Sequence, residues 1–289
     1  DYSNWYDYWW TGKVAPWFSL EMVSIGGHIH FFIRTPKNFK SLIENHIYSQ
    51  YPEAEVHLVP DYVGGVNYEN KDSNWSLFGS EFVLAKEDAY PIKTYVDYGL
   101  DKEMVKEEQK VDPITSTIEF IGSVGKDEQV WIQILVTAAK KRFKKKGKWF
   151  ETEDWKGNAK GLLDKLLKRG MPGVTPTNPA ALTAGEKQAV EAIERNISKM
   201  GFDCGIRALY LAKKDKFSAG NIPSLMSSFK QYGTMNLNSF KPSNATSKDW
   251  WKDYWGRKVA RMKIQIFRAY CHRGCFYPPF KQQPFTLNT

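Results

Sequence analysis

Cysteine is scarce in this sequence: Cys204, Cys271 and Cys275 are the three cysteines among 289 residues. Three cannot build a disulfide framework, and an odd count fits a reducing compartment. Long apolar runs are missing too. The densest stretch, Val130 to Ala139, has the length of a strand, well short of the ~20 residues a bilayer-crossing helix needs. There is no signal-peptide pattern and no initiator Met; Asp1 opens directly onto packed aromatics, so the sequence is expected to be part of a longer protein.

Chemistry-bearing motifs are equally thin. No Gly-x-x-x-x-Gly-Lys-Ser/Thr loop and no Gly-x-Gly-x-x-Gly occurs, so nothing here would cradle a nucleotide's phosphates. Five histidines are present without a Gly-x-Ser-x-Gly setting. His46 falls in a helical pattern and His57 in an extended one, while Glu87-Asp88 and Glu107-Glu108 lie in polar loops. Cys271, His272 and Cys275 offer three metal ligands within five residues, but a structural zinc site takes four. The other pair is His28 and His30, on one side of a strand. No catalytic residue, metal site or cofactor is therefore expected within these residues.

What the sequence does have is aromatic mass and divided charge. Eleven Trp, 15 Tyr and 17 Phe, in a chain 42% hydrophobic and 25% charged, supply a core and exclude disorder as the dominant state. Residues 1–139 carry 11 Lys/Arg and 21 Asp/Glu, a net of −10, and residues 140–289 carry 30 and 11, a net of +19. Such a split fits either attraction between the halves or one basic face that meets a polyanion.

Patterning predicts an α+β fold: two ferredoxin-like modules, each an antiparallel sheet with helices on one face, plus a basic insertion and a carboxy-terminal helix. Residues 1–16 form an aromatic segment, either a flap over the core or a membrane-interface contact. The first module spans 17–80. Its strands are Trp17 to Ile25, then His28 to Arg34 after a Gly26-Gly27 turn, then Ala54 to Val59. Between them Thr35 caps a helix whose buried face is Phe39, Leu42, Ile43, Ile47 and Tyr48. The second module spans 81–240. It has strands at Glu81 to Ala85, Pro91 to Thr94, Gln129 to Thr137 and Phe202 to Ala212. Its helices are Pro113 to Ile121 after Asp112, Glu186 to Met200 with a Thr183 capping box, and Ser218 to Tyr232. The insertion, 140–181, includes a short helix from Ala159 to Arg169 and a Pro/Gly-rich linker; residues 241–289 hold an aromatic-basic helix and an extended tail.

Two basic stretches are the strongest candidates for contact with a partner. Lys140, Lys141, Arg142, Lys144, Lys145, Lys146 and Lys148 stand with Phe143 and Trp149 in ten residues. Lys248 to Arg273 holds eight Lys/Arg against two Asp, including Arg257, Lys258, Arg261, Lys263, Arg268 and Arg273 near Trp250, Trp251 and Trp255. Positive charge interleaved with rings suits phosphates and exposed bases. The same pattern suits an anionic membrane surface, docking on the acidic half, or an ordinary solvated face.

Several segments together resemble a known family. They are Trp17 to Ser24, Ile29 to Pro36, Ile47 to Pro52, Leu84 to Ile92, Trp131 to Leu135, Glu186 to Ile206, Met226 to Tyr232 and Asn236 to Phe240. In order and content they are similar to the amino-terminal, non-motor region of conjugative-transfer and type IV secretion ATPases of the HerA/FtsK-like kind from small-genome uncultivated bacteria. In that family the region follows membrane spans and precedes the motor; Phe285 to Thr289 falls where the family runs on towards it. The resemblance implies a non-catalytic, homo-oligomeric assembly domain at the cytoplasmic face of the membrane, meeting DNA, membrane proteins or anionic lipid. ATPase activity would require a motor domain after Thr289. The other expectation, from aromatic content and extended segments, is a structural subunit of a viral particle, connector or surface filament.

Overall fold

The computed structural model describes residues 14–68, 73–100, 112–140, 143–144, 152–168, 182–247 and 256–288. Among the described residues are nine strands and six α-helices. The strands are β1 (Trp17–Ile25), β2 (His28–Arg34), β3 (Trp75–Leu84), β4 (Glu128–Ala138), β5 (Phe143–Lys144), β6 (Thr152–Glu153), β7 (Gly201–Lys213), β8 (Phe240–Ser243) and β9 (Phe285–Asn288). The helices are α1 (Lys40–Gln50), α2 (Pro113–Gly122), α3 (Trp155–Leu166), α4 (Ala184–Ser198), α5 (Asn221–Ser228) and α6 (Arg257–Cys271).

Seven strands form one antiparallel sheet in the order β2-β1-β4-β7-β3-β8, with β9 also on β7. The strands of the two expected modules share this one sheet, because β1 of the first stretch pairs directly with β4 of the second, while β5 and β6 form a separate two-stranded pair. β3 crosses the expected boundary at residue 80. The physical reason is burial: β4 and β7 bury residues on both faces, so both are central strands, paired on either side and covered above and below.

Those layers differ. One face buries Phe78, Phe82, Val130, Ile132, Ile206 and Tyr210 beneath α2 and α5, through Ile121, Leu225 and Phe229. The opposite face buries Val23, Leu77, Trp131, Leu209 and Leu211 beneath Ile266, Phe267 and Tyr270 of α6. The expected carboxy-terminal helix, α6, covers this second face with its apolar stripe. α3 and α4 pack on each other through Trp155, Leu163, Val190 and Ile193.

Local chemistry explains most element ends. Gly26 and Gly27 both have positive φ, as a two-residue hairpin turn requires. Asp112 caps α2 through Ile114 N, and Thr183 with Glu186 completes the capping box of α4. Elsewhere the patterning misleads. Ala54 to Val59 and Pro91 to Thr94 are irregular. Thr35 caps nothing: a 3-10 turn at Lys37–Phe39 precedes α1, with Pro36 at its start. α1 buries no residue, and Leu42 and Tyr48, expected inside, are exposed. Ser218 to Tyr232 is a shorter α5 followed by a 3-10 turn at Lys230–Tyr232.

Candidate nucleic-acid interface

α6 begins at Gly256, whose left-handed backbone (φ 64°) turns the chain into the helix. Its inward side presents Ile266, Phe267 and Tyr270 to the sheet, and Gly79 below lets the Ile266 side chain approach β3. Its outward side carries Arg257, Arg261, Gln265, Arg268 and, one residue past the helix, His272, all exposed, with Lys258 beside them. These positions recur every three or four residues, so they form one stripe along the helix. Successive arginines four residues apart stand about 6 Å apart along the axis. No ion pair joins Arg257, Lys258 or Arg261 to a carboxylate among the described residues. Lys263 is half-buried, and burial lowers its pKa.

A buried polar row holds the carboxy-terminal end of this helix. Glu21 on β1 stands opposite Gln133 on β4, Gln133 opposite Arg207 on β7, and Arg207 opposite Glu81 on β3. All four are under 8% exposed and lie on the face that α6 covers. Glu21, Gln133 and Arg207 each hold part of the chain above, while Glu81 accepts from Asn244. Gln133 Nε2 donates to Tyr270 O (3.2 Å) and to Glu21 Oε1 (2.9 Å). Arg207 Nη2 donates to Gly274 O (2.7 Å). Arg273 Nε and Nη2 donate to the two Glu21 oxygens (2.9 and 3.1 Å), and its Nη1 and Nη2 reach Asp61 (2.5 and 2.9 Å). Ser19 Oγ and Tyr62 Oη also donate to Glu21 (2.5 and 2.7 Å). Burial pushes the Glu21 carboxyl up, but the Arg273, Ser19 and Tyr62 bonds outweigh it and hold the pKa below its ordinary value. For Glu81 burial wins over Asn244 and Arg207, and its pKa is raised.

One expected cation is therefore spoken for: Arg273 is an internal clamp between the acidic front half and the helix end. Arg257, Lys258 and Arg261 keep their charge at the surface. Of the first basic stretch, Lys140 is described and exposed. Its ammonium donates to Tyr277 Oη (2.9 Å) and lies 4.7 Å from the centre of that ring. Lys144 sits in β5. Lys141, Arg142, Lys145, Lys146, Lys148 and Trp149, with Trp250, Trp251 and Trp255, lie outside the described residues.

Tyr277 also lines a cavity of about 540 Å³ at the end of the stripe, together with Trp17, Arg268, His272 and Phe280. The His272 ring stacks on Phe280 (5.5 Å between centres), and Trp17 meets Tyr277 at 5.8 Å. Lys140, from the first basic stretch, and Arg268 and His272, from the second, thus meet around the ring of Tyr277. Cys275 is buried over Gly205, where a Cβ would overlap its sulfur. Burial pushes its thiol up to about 11. His28 and His30 are exposed on β2. No group of three or more His, Cys, Asp or Glu side chains suited to a metal forms among the described residues.

Patterning missed the polar row. Each member looks like an outward-facing residue in an alternating strand, and only the register aligns them.

A family model described as Domain of unknown function (DUF8128) matches residues 8–247. The chain belongs to the DUF8128 family. No curated protein and no solved structure matches it. The DUF8128 match takes in the sheet through β8 and Lys140, and α6 lies after it. No helix among the described residues is long and apolar enough to cross a membrane.

Proposed function

We propose that this DUF8128 protein is a non-catalytic assembly domain that holds DNA against the outer face of α6, as the resemblance to the amino-terminal region of conjugative-transfer ATPases implies. The observation that carries the reading is the arrangement of exposed cations beside rings: Lys140 rests on Tyr277, and Arg268, at the end of the stripe that begins with Arg257 and Arg261, lines the hollow formed with Trp17, Tyr277, His272 and Phe280. Cations spaced about 6 and 10 Å apart along a helix suit a phosphate backbone, and rings beside them suit exposed bases. Homo-oligomerisation, a place at the cytoplasmic face of the membrane and contacts with membrane proteins belong to the same proposal. So does the finer architecture of two ferredoxin-like modules merged into one sheet, supported by the strand-hairpin-helix order of β1, β2 and α1.

The test is fluorescence anisotropy with a single-stranded oligonucleotide between 50 and 200 mM salt. Substituting Arg257, Lys258 and Arg261 together by Gln is expected to weaken binding and flatten the plot of log affinity against log salt by about 0.7 per lost contact. Neutralising Lys144, Lys145 and Lys146 is expected to act in the same direction. Affinity independent of salt, or unchanged in both variants, would overturn the reading. A structural subunit of a particle, connector or filament is the second reading, favoured by the aromatic content of the chain. Light scattering after size exclusion separates them: a closed assembly supports the first, and an open-ended polymer the second.

A further inference from the structure

The two edges of the sheet are finished differently. β8 is four residues long and carries Lys241 and Pro242, the second without an N–H, so it is a poor template for another strand. β2 runs seven residues, His-Ile-His-Phe-Phe-Ile-Arg, with no proline, lysine or acid. The hairpin register pairs Ile25 with His28 across the Gly26-Gly27 turn. In a two-residue hairpin that pair is hydrogen-bonded, so His28, His30, Phe32 and Arg34 bond to β1. The backbone groups of Ile29, Phe31 and Ile33 therefore point outward, and none of them finds a partner among the described residues. The same three residues share one face of the sheet with Leu20 and Met22 of β1. Ile29 packs near Gly122 of α2, but Phe31 is 65%, Ile33 45% and Leu20 43% exposed. An edge that offers both open backbone groups and large exposed hydrophobics is uncommon in a stable monomer.

The pattern on that face is palindromic, Ile29–Phe31–Ile33, and this decides the occupant. We propose that β2 is a homodimerisation edge: a second copy adds its own β2 antiparallel about a twofold axis through Phe31. That register sets Phe31 on the partner subunit's Phe31 and Ile29 on the partner subunit's Ile33, with about six backbone hydrogen bonds. The two Leu20 side chains extend the apolar strip on either side. A head-to-tail contact of β2 on a neighbour's β8 would meet Pro242 and Lys241, so the contact closes at two copies. The dimer supplies a contact for the self-association within the reading above. It rests on the sheet edge alone, so loss of DNA binding and loss of the dimer are separate outcomes.

The experiment is sedimentation equilibrium on the full chain from 1 to 100 µM, without nucleic acid. The wild type is expected to approach twice the chain mass. Phe31→Lys, which sets two ammonium groups on the axis, is expected to weaken association by about 100-fold or more while its circular dichroism and melting stay unchanged. In a second variant, Phe31→Cys, oxidation is expected to yield a covalent dimer absent from oxidised wild type, since hydrogen-bonded antiparallel pairs lie about 5.5 Å apart at Cα. A monomeric wild type, a dimer indifferent to Phe31→Lys, or Phe31→Cys without cross-linking would each overturn the proposal. So would protected Ile29, Phe31 and Ile33 amides in monomeric Phe31→Lys, because another segment of the same chain would then hold the edge.

Discussion

Replacing Arg273 by Met removes a charge from the most enclosed ion pair described. The Arg273 side chain is 5% exposed and that of Glu21 fully buried, whereas Asp61 is 40% exposed. Met keeps much of the side-chain length and loses both bonds to Glu21. Water can solvate Asp61 again, so its loss costs little. Glu21 cannot be reached, and breaking one partner of a buried pair costs about 3–5 kcal/mol. The pH dependence distinguishes this cause from simple loss of packing. In the wild type Glu21 and Asp61 both titrate below their ordinary values of 4.5 and 3.8, so they contribute stability that is present above those values and lost as pH falls through the folded ones. Without Arg273, burial dominates and the Glu21 pKa rises. Its penalty then holds at neutral pH and disappears as acid protonates it. Both effects narrow the gap between wild type and variant as pH falls. Urea unfolding at pH 7, 5.5 and 4 is therefore expected to give a difference of about 3–5 kcal/mol at pH 7 and a smaller one at pH 4. A difference below about 1 kcal/mol at pH 7, or one that stays constant with pH, would refute the reasoning.

Two further outcomes follow from packing. Gly79→Ala would bring a Cβ to 2.7 Å from Leu209 Cδ2 and 3.1 Å from Ile266. The crowding is expected to cost about 1–3 kcal/mol, measured by denaturant unfolding; a loss under about 0.5 kcal/mol would mean that α6 sits further from β3 than described. The Cys275 thiol, buried and raised to about 11, is expected to resist a thiol reagent at pH 8 until the protein unfolds. Mass spectrometry of partially labelled protein identifies which cysteine reacts, and labelling of Cys275 at the rate of a free thiol would contradict the burial.

Strands and caps were legible in the sequence because their causes are local. The alternation of Val130, Ile132, Ile134 and Val136 specifies β4, and Thr183 with Glu186 specifies the start of α4 whatever surrounds them. The same logic failed at Ala54 to Val59, which forms no strand, and on α1, whose apolar pattern is not fully buried by any element among the described residues. Periodicity states which residues are fit to be buried and is silent on whether a partner arrives.

The site divides along the same line. The sequence by itself determined that α6 is amphipathic, that its outer side is basic, and that the halves of the chain are opposite in charge. Only the tertiary structure decided which charges stay outside. Strand register set Glu21, Gln133, Arg207 and Glu81 in one buried row, and that row took Arg273 inward while Arg257, Lys258 and Arg261 remained at the surface. The same register left Phe31 on an open edge. Pairing across strands joins residues more than a hundred positions apart, and no local pattern encodes which row of one strand meets which row of the next.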